Sequence, residues 1–113
     1  MIREMNKNEF MRAWRGYKNA REMLEMNYFK ECLLELKPVI ALLEKYENQT
    51  RFLAKAYYLK SQAFSRLEKF KDQKKFLLEA LKVLEHIDDE TELKESILKD
   101  LETLNTAQRK KPD

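Results

Sequence analysis

The chain has 113 residues, with 23 Lys and Arg against 20 Asp and Glu for a net charge of +3, one Gly, two Pro and one Cys. That length suits one domain with one core, and the near balance of charge excludes a strong field aimed at a polyanionic partner. Scarce Gly and Pro among abundant Lys, Glu, Leu and Ala point to helix and exclude an extensive sheet. The lone Cys32 excludes an intrachain disulfide and fits a reducing cytoplasm. Met1 to Phe10 has no apolar run, so no signal peptide or membrane span is expected.

The spacing Asn6-Lys7-Asn8-Glu9 is that of a capping box and predicts a helix start. Phe10, Ala13, Trp14, Tyr17, Ala20, Met23 and Leu24 then recur every three or four residues as one buried stripe, ending near Met26-Asn27. A second helix follows through Phe29, Cys32, Leu33, Leu36, Val39, Ile40, Leu43 and Tyr46 to about Glu47. Pro38 predicts a kink or broken turn within it, because proline removes a backbone donor and crowds the preceding turn. After Asn48-Gln49-Thr50, a third helix carries Leu53, Ala56, Tyr57, Ala63, Phe64 and Leu67, with Lys60 the lone charge in its stripe. A short turn at residues 68–71 leads to a fourth helix, started by Asp72 and carrying Phe76, Leu77, Ala80, Leu81 and Leu84. The segment His86 to Asp89 separates a fifth helix with Leu93, Ile97, Leu101 and Leu104, expected as a lid on the fourth. Residues 106–113 read as a flexible basic tail.

The first two helices repeat in the next two at an offset of 41 residues: Ala13 aligns with Ala54, Ala20 with Ser61, Met23 with Phe64, Phe29 with Phe70, Leu36 with Leu77 and Val39 with Ala80. On these residues, best over Ala54 to Leu84, the chain resembles the tetratricopeptide repeat family. Glu68 stands where that family has a turn glycine, and Gln73 and Cys32 where it has a small alanine. The resemblance implies an all-α domain over residues 1–113. It would contain two antiparallel hairpins, about 7–47 and 50–86, and a capping helix, about 89–105, in a right-handed α-α superhelix. It also implies a concave groove for a peptide or helix of a partner protein. On the matching positions that groove would be lined by Trp14, Tyr17, Arg21, Lys55, Tyr58, Gln62 and Arg66, and aromatics and Arg are residue types enriched in binding hot spots. Tyr57 fills the buried place, so Tyr58 should face the groove.

No catalytic residue, metal site or cofactor is assigned. His86 and Cys32 are single, and Gly16 alone cannot make a phosphate-binding loop. Asp88, Asp89, Glu90 and Glu92 cluster where the dipole of a helix start favours acids. Gly16, inside the first helix, implies close packing against another helix of this chain or of a partner. Two hairpins are fewer than a solenoid usually needs, which leaves an apolar face to be covered by the fifth helix, by a second copy or by another protein. The reading is a non-enzymatic interaction module: an adaptor, chaperone or regulator. The alternatives are association with nucleic acid through the basic first helix and the Arg109-Lys110-Lys111 tail, or a subunit of a larger signalling complex.

Overall fold

The structure, a computed structural model, describes residues 4–110, without the side chains of Glu47 and residues 108–110. Five α-helices, with no strand among the described residues, follow one another as α1 (Lys7–Glu25), α2 (Phe29–Leu43), α3 (Thr50–Arg66), α4 (Phe70–Val83) and α5 (Thr91–Lys110). A 3-10 turn, Glu47–Gln49, links α2 to α3. The helices α1 and α2 pack as one hairpin and α3 and α4 as another; α2 joins the two by packing on α3, and α5 closes on α4.

The capping box at the start of α1 is formed. The Glu9 N–H donates to Asn6 Oδ1 at 2.8 Å, and the Asn6 N–H donates back to Glu9 Oε1 at 3.2 Å. The other oxygen of Glu9 accepts the Tyr46 hydroxyl, so the cap also ties the chain beyond α2 to the start of α1.

Both hairpins turn by the same device. Asn27 and Glu68, 41 positions apart, adopt φ 66° and 59°. In the first turn Asn27 N–H donates to the Leu24 carbonyl and Tyr28 N–H to that of Met23; in the second, Glu68 N–H donates to Ser65 and Lys69 N–H to Phe64. This pair of reverse bonds satisfies carbonyls that the end of a helix leaves open. Asn tolerates a left-handed backbone well, whereas Glu adopts it at a cost in steric strain.

The core lies between the paired helices. Ala13 and Ala20 of α1, Cys32, Leu36 and Val39 of α2, Ala54, Ala56 and Ala63 of α3, and Leu77 and Ala80 of α4 are all buried in it. Leu84, Ile97 and Leu104 extend it under α5. Gly16 faces Val39, and a Cβ at position 16 would collide with a Val39 methyl group. The partner that the mid-helix glycine requires is therefore α2 of this chain.

Several boundaries differ from expectation. The helix α2 runs unbroken through Pro38, whose ring sits on the exposed side beside Leu34, which is 70% exposed. There the carbonyl that loses its partner can turn to water, so the helix is not forced to break. It stops at Leu43, short of the expected 47, because the chain turns so that Tyr46 can bury and reach Glu9. Phe70 rather than Asp72 opens α4, directly after the reverse turn. The final helix continues past Asn105 to Lys110, so the tail expected at 106–113 is helical over its first part. The side chains of Arg109 and Lys110, and all of Lys111 to Asp113, lie outside the described residues.

Glu68→Gly should stabilise the protein by about 1 kcal/mol by relieving the positive φ, and Asn27→Gly by less; thermal unfolding reads both. Gly16→Ala gains about 1 kcal/mol in helix propensity but overpacks against Val39 at about 1–3 kcal/mol. It should therefore destabilise the wild type yet stabilise a Val39→Ala background, and urea titration of the four chains would show the change of sign.

Candidate functional site

Of the large members of the α1 stripe, Phe10 and Trp14 are 42% and 41% exposed, while Ala13 and Ala20 take the buried places. This corrects the expectation of one fully buried stripe. Small residues occupy the contact with α2, which pushes the aromatics to the edge that faces α3.

There they assemble around a ring the sequence reading missed, Phe52 of α3. Tyr17 meets it edge to face at 5.5 Å between centroids, Phe10 at 5.9 Å and Trp14 at 6.2 Å. Trp14 stacks on Tyr17 at 6.0 Å. Edge-to-face contacts suit the positive rim and negative face of aromatic rings. Phe52 precedes Lys55 by one helical turn, so its place on the same face was readable from spacing.

The cluster borders a cleft of about 490 Å³ that also involves Arg51, Lys55 and Ile87. Arg51 is committed to Asp89 at 2.7 Å. Lys55 is exposed, and the Arg21 guanidinium lies 5.9 Å from the Tyr17 ring. Burial pushes the Tyr17 hydroxyl above its ordinary pKa of 10.0, with Arg21 pulling the other way.

The seven residues assigned to one groove are divided by the fold. Trp14, Tyr17 and Lys55 line the aromatic cleft, with Arg21 at its Tyr17 edge. Tyr58, Gln62 and Arg66 line a second cavity of about 640 Å³ that shares no residue with the first. The second cavity is walled by Gln73 of α4 and by Asp100, Thr103 and Leu104 of α5. Tyr58 does face away from the hairpin core, but α5 meets it: its hydroxyl donates to Asp100 Oδ2 at 3.0 Å. The lid thus covers part of the face expected to be open. Arg66 sits 6.0 Å from the centre of the Phe29 ring. This cavity was not legible in the sequence, because it needs the crossing of α5 over α3.

Other chemistry-bearing residues have structural partners. Cys32 is buried, and burial lifts its thiol pKa to about 11, which suppresses the reactive thiolate. The Lys60 ammonium lies 4.2 Å from the centre of the Phe76 ring, and burial, aided by nearby Lys75, lowers its pKa. The aromatic face explains how a charge is tolerated in that stripe. Tyr57 donates to Glu44 at 3.0 Å. Among the described residues no group of three His, Cys, Asp or Glu could hold a metal ion, and no helix is long and apolar enough to cross a membrane.

Burial first, and then the Asp100 charge, push the Tyr58 hydroxyl up to about 12 from 10.0. Because the folded value lies above the unfolded one, this contribution is complete below pH 10 and is lost as pH rises to about 12. Tyr58→Phe should therefore lower stability at pH 7 by about 1 kcal/mol and flatten the decline between pH 10 and 12, read from urea midpoints against pH. No protein-family model, no curated protein and no solved structure matches this chain.

Proposed function

We propose that the chain is a non-enzymatic protein-interaction module, of the tetratricopeptide-like kind, that takes a peptide or helix of a partner protein. The observation that carries this reading is the aromatic cluster: Phe10 and Trp14 remain more than two-fifths and about two-fifths exposed beside Tyr17 and Phe52. Rigid aromatics left at a surface give up favourable burial unless something covers them. Trp, Tyr and Arg are also the side chains that most often dominate binding energy. Lys55 and Arg21 flank the cluster, which favours a partner segment with an apolar or aromatic anchor followed by acidic residues.

Support for two repeated hairpins comes from the matching left-handed turns at Asn27 and Glu68. It also comes from the equal burial of Ala13 with Ala54, Ala20 with Ser61 and Leu36 with Leu77. The adaptor, chaperone and regulator readings all use this one face.

A photo-crosslinking residue placed at position 14, with a second chain carrying it at the exposed position 34 of α2, outside the cleft, tests the assignment in lysate of the source organism. The expected result is one protein joined from position 14 and lost in a Tyr17→Ala, Phe52→Ala background that still unfolds cooperatively. Joining from position 34 only, or unchanged joining in that background, would overturn it.

A further inference from the structure

The charge of the chain is unevenly placed. Between Lys7 and Arg21, α1 carries five cations, Lys7, Arg12, Arg15, Lys18 and Arg21, against the single carboxylate of Glu9, an excess larger than the net charge of the whole chain. Glu9 is itself engaged by the Asn6 N–H and the Tyr46 hydroxyl, and Glu22 and Glu25 follow only in the last turn of the helix. All five cations are exposed. None of them forms an ion pair among the described residues, where the one ion pair joins Arg51 to Asp89. Like charges kept unpaired along one helix repel each other, and a polyanion would relieve that repulsion.

Opposite the small residues Ala13, Gly16 and Ala20, the outward ridge of α1 runs through Lys7, Met11, Trp14, Lys18 and Arg21, at alternate steps of four and three residues. Met11 and Trp14 are 39% and 41% exposed. Helical spacing puts Phe10 and Tyr17 along one flank of the ridge and Arg12 and Arg15 along the other. We propose that this ridge binds single-stranded nucleic acid, with phosphates on the cations and an unpaired base on Trp14. A single strand alternates anionic phosphates with flat bases, each of which has a face to lay on an aromatic ring. A duplex hides those faces within its own stack. A membrane-surface helix separates its apolar and cationic residues onto opposite sides, whereas here the two kinds share one ridge. A run of acidic side chains would meet the cations and leave Trp14 unused. The near balance of charge over the chain removes long-range steering, so the strand is held by short-range contact. The proposal does not rest on the partner reading: it shares Trp14 with the aromatic cleft, but Lys7, Arg15 and Lys18 lie outside the cleft's lining.

Trp14 is the only tryptophan of the chain, so its fluorescence reports the ridge directly. Titration of the full chain at low salt with single strands of about ten nucleotides, one of thymidine and one of uridine, should quench that emission to saturation. The tighter of the two assigns the strand as DNA or RNA. With about four phosphates neutralised, the logarithm of the affinity should fall with that of the salt concentration at a slope of about −3. The double variant Arg15→Ala, Lys18→Ala should halve the slope while unfolding as cooperatively as the wild type. Trp14→Ala, followed by the anisotropy of a labelled strand, should bind about fivefold or more weakly at an unchanged slope. The proposal is overturned by an absence of quenching at low salt, by an unchanged affinity in Trp14→Ala, by polyglutamate that binds as tightly as the strands, or by anionic phospholipid vesicles that displace them and shift the Trp14 emission to the blue.

Discussion

The close approach of paired helices is the constraint on which the other features depend. Ala13, Gly16 and Ala20 along α1, and Ala54, Ser61 and Ala63 along α3, leave room for Val39, Leu36 and Leu77 to come down between the backbones. Tight packing recovers dispersion contacts that a looser interface would forfeit. Even Ser61 fits without loss, since its hydroxyl donates to the Tyr58 carbonyl at 2.6 Å within its own helix.

That constraint also determines where the large residues go. Once small side chains occupy the contact with α2, the rings on α1 have no place in the hairpin core. They gather instead against Phe52 on the neighbouring hairpin. The surface with the best chemistry for recognition is thus a by-product of what the core demands, and it lies on rigid helices rather than on loops. Ordering costs on binding are correspondingly small for such a surface.

Among the described residues, the polar groups inside the fold divide into those with an internal answer and the Gln73 side-chain oxygen, which has none. Lys60 has the Phe76 ring, Tyr57 has Glu44, and Tyr46 has Glu9. These pairings link successive elements and resist slippage of one helix along another. Gln73 has no such partner, and it stands beside a cavity.

The sequence by itself determined the helical class, the number of helices, the capping box at Asn6 and Glu9, the 41-residue repetition and the small residues at the helix contacts. Each of these rests on local periodicity or on backbone chemistry within a few residues. It allowed a broken turn at Pro38, whereas α2 continues through that residue with Pro38 on its exposed side, and which side of a helix meets water is set by packing. It read Trp14 both as core and as groove because helical spacing places a residue on a face without saying what lies opposite. Phe52 was within reach through its spacing from Lys55, whereas the cavity around Gln73 was not. Only the tertiary structure, by laying α5 across Tyr58, divided the expected groove into two, since contacts between residues 42 apart follow from helix crossing rather than from any local pattern.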